Sequence, residues 1–456
     1  MPHILNLANE VLYQIIAATN PHDIESLAAS CKTINILAQP ELKRHRELKK
    51  SVHPIYVLRD ILQDTALAQY PTTLQIGPFD EYYHDWLSND HDKVESEGIR
   101  TVAAECDREI QNAIYQCPFI ETPEREIWRV QIMEGRGQAI IGLLLTLLPN
   151  LTSMTTVPKP EEGLFTQILK RIVEFQQPTH RLAPQALTKL ARIDARPFYY
   201  VSLMTVHEFD HLSQYALLPS MRTITGSHFE TYVSGNARTF QWPHDPGISA
   251  VTEINIDRSM VDGESITNLV RSVRALERFS FSFGEHLPTR VIYQPRKIIR
   301  GLELYTKSSL SYLHLTGTRI RINTTQDDDL EIDLRVFEKL KQLRIDHTLL
   351  SHHGRPCLAP FKGKPDQDCN CWPQRLVDVL PASLESLEVM DYVPWKHARA
   401  FFAGFPEFKA ERLPRLRDIE MQGSAAVDLQ FIHLCESVGV ILSQDGVEDD
   451  VNYHYS

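Results

Sequence analysis

A short apolar phrase recurs along most of this chain and constrains its fold more than any other feature. In each copy an apolar residue is followed by two others, a second apolar residue, one other, and a third apolar residue. The last two apolar residues are two positions apart, so they lie on one face of a strand, and each phrase predicts a short strand with one buried side. Six clear copies occupy residues 251–256, 276–281, 310–315, 340–345, 384–389 and 416–421, and weaker copies begin at Leu151, Leu187 and Met221.

Helical patterns precede several of these phrases. Apolar residues within 266–273 have helical spacing before the phrase at 276, and Leu334 and Phe337 precede the phrase at 340. A single unit of helix, turn and strand cannot cover its own apolar face, so neighbouring units must stack with their strands side by side. The sequence therefore predicts an α/β solenoid.

The phrases resemble the divergent leucine-rich repeats that often follow an F-box, particularly in fungal proteins. First apolar positions are 25 to 44 residues apart in the clear copies, and the asparagine of the regular repeat is mostly absent. Because regular repeats are about 20–29 residues long, we interpret these as irregular repeats with loop insertions. The resemblance implies a horseshoe-shaped solenoid. The alternative is a compact α/β domain whose strands share the phrase.

Three short helical patterns occupy the first fifty residues. Residues 11–19 predict a first helix that Pro21 ends, residues 24–31 a second, and residues 34–38 a third that ends before Pro40. Three such helices in about 40 residues bury too little surface to be stable alone, so we expect them to pack against something else.

Residues 7–16, 21–24, Leu27 and 31–32 resemble the F-box, whose helices interleave with those of the Skp adaptor subunit of cullin–RING ubiquitin ligases. The resemblance covers roughly a tenth of the chain, and Ala8 stands where a proline usually follows the leucine. The alternative is an ordinary helical cap on the domain that follows. By the resemblance, the residues that contact the adaptor are Leu7, Val11, Leu12, Ile15, Ile16, Pro21 and Leu27.

Composition argues against several classes of partner. A net charge of −12 and a pI near 5.9 disfavour broad binding to nucleic acid or anionic membranes. The longest apolar stretch, residues 139–148, is too short to cross a bilayer, and the first residues lack a secretory pattern. Seven widely spaced cysteines favour reduced thiols. We expect a cytoplasmic or nuclear protein that binds neither nucleic acid nor membrane.

Motifs of catalysis and cofactor binding are absent from the sequence. It contains no Gly-x-Ser-x-Gly elbow, no His-Glu-x-x-His helix and no phosphate-binding glycine loop, so we expect no enzymatic activity and no cofactor. Between His352 and Cys371, three cysteines and two histidines fall within 20 residues. This segment fits either a small zinc clasp or a reduced insertion loop, and we interpret it as a loop without metal.

These features predict a non-catalytic adaptor. Its expected parts are a helical domain over 1–50, a connecting segment with the first divergent repeats over 51–135, a repeat domain over 136–435 and an acidic tail over 436–456. By the resemblance, the helices dock the Skp adaptor while the repeats hold a protein substrate. The alternative is a leucine-rich-repeat interaction scaffold without a ubiquitin-ligase role.

The substrate surface is expected at strand positions that point away from the core, because combinations of such side chains set the specificity of repeat surfaces. Tyr312 is the expected aromatic anchor. The later members are acidic, which indicates either a basic partner segment or simple solvation. The expected surface residues are Asn255, Ser280, Tyr312, His314, Arg344, Glu388 and Glu420.

Overall fold

Two compact units make up the chain in the computed structural model. The first comprises Met1–Thr205 and Gln214–Met221, and the second comprises Val206–Ser213 and Arg222–Ser456. The structure describes residues 7–17, 19, 21–48, 53–75, 90–156, 163–176, 186–195, 207–209, 211–233, 236–237, 239–284, 293–317, 332–350, 374–390, 395–422 and 429–445. Among these residues no helix combines the length and the apolar character needed to cross a membrane.

The first unit is mainly helical. Its helices are α1 (Asn9–Ala17), α2 (Pro21–Ser30), α3 (Lys32–Arg46), α4 (Pro54–Gln63), α5 (Asp90–Glu105), α6 (Asp107–Gln116), α7 (Arg125–Met133), α8 (Gly137–Leu147) and α9 (Leu164–Phe175). Two 3-10 turns cover Thr65–Gln69 and Thr122–Glu124. Its strands are β1 (Glu47–Leu48), β2 (Thr73–Gln75), β3 (Ser153–Thr156) and β4 (Arg192–Ala195).

Helices α1 to α3 share a small apolar core, which explains why each helix forms despite its shortness. Leu27, Cys31 and Leu37 pack around that core and are partly buried. The core residues are Ile16, Ile24, Ala28, Ile34, Ala38 and Leu42.

Helix α3 continues through Pro40 to Arg46, so the prediction that it ends before Pro40 is wrong. A proline inside a helix removes one backbone hydrogen bond, here the one to the carbonyl of Ile36. Pro40 and Ile36 are both exposed, so water can solvate that carbonyl, while the continuation buries Leu42 against the core. The free energy gained by burying Leu42 therefore exceeds the cost of the backbone hydrogen bond that Pro40 removes.

Helix α8 is buried along most of its length. Its sequence is apolar on nearly every side, which is typical of a helix inside a core. All residues from Ala139 to Leu145 are buried. Gly142 allows the Trp128 indole of α7 to approach closely, since a Cβ there would lie only 2.7 Å from a ring carbon. The indole therefore packs directly against the backbone of α8.

The four strands of the first unit pair in parallel and in chain order. Leu74, Met154 and Ile193 lie beside one another in register and are all buried. In this register, the apolar phrase of β4 begins at Leu190. The sequence had predicted that it begins at Leu187. Leu187 instead adopts a left-handed backbone with φ of 56° in the preceding turn, although its side chain is buried.

Among its described residues, the second unit is built around eight strands. These are β6 (Thr223–Ser227), β10 (Glu253–Ser259), β11 (Arg278–Phe283), β12 (Tyr312–Gly317), β13 (Gln342–Asp346), β14 (Ser386–Met390), β15 (Asp418–Gln422) and β16 (Ile441–Asp445). Short additional strands are β5 (His207–Glu208), β7 (Phe229–Glu230), β8 (Tyr232–Val233) and β9 (Asn236–Ala237). Helix α10 (His211–Ala216) crosses the division between the units.

All pairings among these eight strands are parallel, and each strand lies beside the next one along the chain. The six clear phrases form β10 to β15, which confirms the predicted α/β repeat with one strand in each repeat. One buried row crosses the sheet in register, and its members are Ile224, Ile254, Phe279, Leu313, Leu343, Leu387, Ile419 and Leu442.

Helices precede most of the strands, as the apolar spacing predicts. They are α11 (Gly263–Arg271), α12 (Pro295–Thr306), α13 (Leu376–Val379), α14 (Trp395–Phe401), α15 (Phe405–Arg412) and α16 (Leu429–Ser437). Asp262 caps α11 by accepting hydrogen bonds from the backbone N–H groups of Glu264 and Ser265. Before β13 the predicted helix is only a 3-10 turn, Leu334–Val336, because its apolar pattern spans a single turn.

In three repeats, the residue just before the apolar phrase is a serine that forms a hydrogen bond to the preceding repeat. Each hydroxyl donates a hydrogen bond to the backbone carbonyl of the first apolar residue in the preceding phrase. The three pairs are Ser220 with Leu190 at 2.8 Å, Ser309 with Leu276 at 2.7 Å and Ser383 with Leu340 at 2.9 Å.

Ser259 stands where the regular leucine-rich repeat has its asparagine, three residues after the last apolar position of its phrase. Its hydroxyl accepts a hydrogen bond from the Phe229 N–H at 3.0 Å and donates one to the Asp257 carbonyl at 2.8 Å. The side chain is fully buried. A shorter polar side chain therefore satisfies backbone groups of two neighbouring strands.

Part of the expected acidic tail belongs to the sheet. Strand β16 pairs with β15, where Leu442 lies beside Ile419. Val440 and Leu442 are buried, and this apolar pair gives the segment a reason to join the core. Glu448, Asp449 and Asp450 lie outside the described residues.

Candidate protein-binding surfaces

The strand side chains that point away from the core of the second unit form its exposed face. Six residues expected to contact a substrate occupy neighbouring register positions on β10 to β15 and form the middle row of this face. Because side chains alternate along each strand while parallel strands keep register, one position per phrase suffices to align them. The middle row is Asn255, Ser280, His314, Arg344, Glu388 and Glu420.

Neutral side chains dominate the first part of the middle row. The Ser280 hydroxyl lies 2.9 Å from His314 Nδ1, and the Thr316 hydroxyl lies 3.4 Å from Nε2 of the same ring. Burial, together with a smaller effect of the Arg344 guanidinium, lowers the pKa of His314 to about 4, while Asp257 acts in the opposite direction. A neutral imidazole at pH 7 offers one donor and one acceptor.

Tyr312 lies two residues before His314, in an outer row of the exposed face. The Arg278 guanidinium stacks over its ring at 4.2 Å, and Arg278 Nε lies 3.7 Å from Glu253 Oε1. One side of the expected aromatic anchor is therefore already covered within the protein. A partner would contact the ring edge, the hydroxyl or the stacked guanidinium.

Charged side chains dominate the later part of the middle row. Arg344 Nε lies 3.2 Å from Glu388 Oε1. The Gln422 amide donates to Glu388 Oε1 and also lies 3.4 Å from Glu420 Oε1. One amide thus orients two carboxylates on adjacent strands.

Arg278, Glu253 and Gln422 also belong to the exposed face, although they were not among the predicted substrate contacts. Each lies two residues from the middle-row residue of its own strand. Because side chains alternate between the two faces of a strand, each points to the same face as the middle row. Their partners are on the neighbouring strand, which is 25 to 34 residues away along the chain. The alternation could have identified these residues as exposed, but it could not identify their contacts.

The residues expected to contact an adaptor divide into buried and accessible groups. Leu12 and Ile16 are only 2% and 1% exposed, whereas Leu7 and Val11 are each 42% exposed. Ile15 and Leu27 are partly buried. Pro21 begins α2, and its side chain lies outside the described part of the structure. Among the members whose side chains are described, Leu7 and Val11 are thus the most accessible.

Helices α1 to α3, which we term the helical unit, have two further described apolar side chains that reach solvent. Ile36 on α3 is 64% exposed, and Tyr13 on α1 is 40% exposed, with its hydroxyl 3.4 Å from Glu41 Oε1. Ile36 does not belong to the apolar stripe formed by residues 34 and 38. Its position off that stripe could have identified it from the sequence as an exposed apolar residue. With Leu7 and Val11, these residues make up what we term the accessible apolar set.

Within the described ranges, no group of three or more histidine, cysteine, aspartate or glutamate side chains could hold a metal ion. Cys31, Cys106, Cys117 and Cys435 are free thiols. The segment from His352 to Cys371, in which a zinc clasp and an insertion loop were both considered, lies outside the described residues. The interpretation of this segment as a loop without metal therefore stays a prediction.

Comparisons with known proteins identify no family for this chain. No protein-family model matches it, and no curated protein matches it. Among solved structures, it is similar to a chain described as "Crystal structure of TLR13-ssRNA13 complex", with 12% sequence identity and a TM-score of 0.30. The match covers 68% of this chain and 38% of that one, so this chain spans well under half of its length. A TM-score this low carries no argument about fold or function.

Proposed function

We propose that this protein is a non-catalytic substrate adaptor of a cullin–RING ubiquitin ligase. In this proposal the N-terminal helices dock the Skp adaptor, and the exposed face of the second unit holds a protein substrate. The observation that carries the proposal is the alignment of six polar side chains from six successive repeats in the middle row. A continuous row of this kind provides an extended surface for a protein partner.

The accessible apolar set supports the docking half of the proposal. Val11 and Ile36 expose much of their side chains although both belong to helices with a packed core. Exposed apolar side chains on a small helical unit fit a partner whose helices pack against them. The F-box resemblance of the same segment adds the identity of that partner, the Skp adaptor.

The function would depend on proximity. Binding a substrate beside a ubiquitin-charged enzyme raises the effective concentration of the reacting groups, and the chemistry belongs to the partner subunits.

The geometry around Ser280 and His314 supports a non-catalytic role. Their 2.9 Å separation is that of a nucleophile and its base. Both residues lie within strands that pair on either side, however, so the sheet ladder uses the nearby backbone N–H groups. An acyl-transfer site needs such donors free to stabilise an oxyanion.

A leucine-rich-repeat interaction scaffold without a ligase role is the second candidate. The burial of Leu12 and Ile16 favours it, because these side chains already stabilise the chain's own helical unit. In that case the helices cap the first unit, and the exposed face alone binds a partner.

The docking half can be tested by co-purification of the full chain with a Skp adaptor. The variant Val11→Asp plus Ile36→Asp places two charges on accessible positions and should reduce adaptor binding at least roughly tenfold, as expected for interface residues that contribute more than about 1 kcal/mol. Its circular dichroism spectrum should stay unchanged, since neither side chain lies in the core.

Leu304→Asp is the matched control, because Leu304 is a 70% exposed leucine on α12 of the second unit. This variant should bind the adaptor like the wild type. Absence of adaptor binding by the wild-type chain would contradict the ligase role and leave the scaffold candidate.

A further inference from the structure

The charges of the exposed face are strongly unbalanced. At the alternating outward positions of β10 to β15, the described side chains include six carboxylates, of which Asp346 is only 4% exposed, and two arginines, while the exposed Arg258 at the end of β10 adds a third guanidinium. The arginines are Arg278 and Arg344, and the carboxylates belong to Glu253, Asp257, Asp346, Glu388, Asp418 and Glu420.

Both arginines are already engaged. Arg278 contacts Glu253, and Arg344 contacts Glu388. Asp257 lies 3.6 Å from the guanidinium of its neighbour Arg258. The Asp346 carboxylate accepts a hydrogen bond of 2.6 Å from the Gly317 N–H. The positive groups of this face are therefore not free to neutralise further carboxylates.

Asp418 and Glu420 on β15 remain without a cationic partner among the described residues. They point to the same side of one strand, and Glu420 also lies directly opposite Glu388 in register. Like charges in such positions repel one another and destabilise a sheet. Gln422 orients Glu388 and Glu420 with neutral hydrogen bonds but adds no positive charge.

We propose that the end of the exposed face formed by β14 and β15 binds a lysine- or arginine-containing segment of the protein substrate, with Asp418 and Glu420 as its ion-pair partners. Charge complementarity selects this occupant, because a cationic side chain placed there would relieve the repulsion between Asp418 and Glu420, the two carboxylates that have no cationic partner among the described residues. An acidic segment would add to that repulsion. The inference rests on the proposed function only in taking the exposed face as the substrate surface.

The test uses the full chain and a fluorescently labelled synthetic peptide in which lysine alternates with glycine and serine. Fluorescence anisotropy should show binding that weakens as sodium chloride is added, since salt screens exposed ion pairs. The variant Asp418→Asn plus Glu420→Gln should weaken binding roughly fivefold, as expected when two partly exposed ion pairs are lost. The same peptide with glutamate in place of lysine should not bind.

Glu407→Gln plus Glu411→Gln provides the matched control. These residues are exposed on α15, and the variant removes the same charge from the second unit without changing the exposed face. It should change the affinity less than about twofold, since distant surface charges contribute little. Equal weakening by both double variants would overturn the proposal, because the effect would then come from the net charge of −12. Absence of binding by the wild type would overturn it as well.

The peptide-binding experiment can succeed or fail independently of the adaptor-binding experiment. If the lysine peptide distinguishes the two double variants but the chain does not bind a Skp adaptor, the ligase role fails and the basic-segment site stands. If the adaptor binds while the peptide does not, the substrate chemistry proposed here fails and the ligase role stands.

Discussion

At the scale of single residues, a serine hydroxyl just before the apolar phrase links three of the repeats to the repeat before them. Ser309 donates to the Leu276 carbonyl and Ser383 to the Leu340 carbonyl. Each acceptor lies where the chain enters its strand, so the bond fixes where one repeat meets the next. A serine just before an apolar phrase is common enough in any sequence that this role becomes visible only in the folded structure.

Ser309→Ala should lower the free energy of unfolding by about 1 kcal/mol, the usual net contribution of one intramolecular hydrogen bond. Urea denaturation monitored by circular dichroism would measure the change. Ser386→Ala is the control, because the hydroxyl of Ser386 makes no hydrogen bond with the described residues, and it should change stability by less than about 0.5 kcal/mol. Equal effects of the two substitutions would contradict the assigned role of Ser309.

At the scale of elements, tertiary burial overrides local preference in α3. Pro40 indicates a helix end by every local rule, yet the helix continues to Arg46. The contact of Leu42 with the core of α1 to α3 supplies the compensating stability. The opposite case is the turn Leu334–Val336, where a helical pattern is too short to make a full helix.

Pro40→Ala should stabilise the helical unit by roughly 1–3 kcal/mol, because alanine restores a backbone hydrogen bond and has a far better helix propensity. Thermal unfolding would show the increase. Pro54→Ala is the matched control, since Pro54 occupies the first turn of α4, where its missing N–H has no intrahelical acceptor. A gain at Pro54 as large as that at Pro40 would contradict the continuous helix.

At the scale of the whole molecule, the second unit is a series of repeats in which the main strands β6 and β10 to β16 lie side by side in the order of the chain. Stability in such a series is approximately a sum of terms for single repeats and for neighbouring interfaces. A local defect should therefore have its largest effect on the adjacent strands.

Leu343→Ala removes a buried side chain of β13 and should cost about 2–5 kcal/mol. Hydrogen exchange should show the greatest loss of protection in β12, β13 and β14, with a smaller loss in β6. Gln342→Ala, on the exposed face of the same strand, should leave protection nearly unchanged. A uniform loss across all eight strands would instead indicate one fully cooperative unit.

The sequence alone determined the repeating strand, because the spacing of apolar residues within each phrase is local and every clear copy needs a neighbour to cover its apolar side. It also determined which side chain of each phrase points outward, so the middle row could be predicted residue by residue. The weak copy at Leu187 was displaced by three residues because Leu187 and Leu190 are themselves three residues apart, so either can serve as the first apolar residue of the phrase.

Only the tertiary structure decided which outward side chains meet. The pairs Arg278 with Tyr312 and Gln422 with Glu388 join residues 34 positions apart, and loop lengths between strands hide such neighbours from a local pattern. Burial likewise divided the apolar residues of the first helices, placing Leu12 and Ile16 in the core and Val11 and Ile36 at the surface. Spacing identifies the apolar residues of a helix, but the packing of the other helices determines which of them remain accessible to a partner.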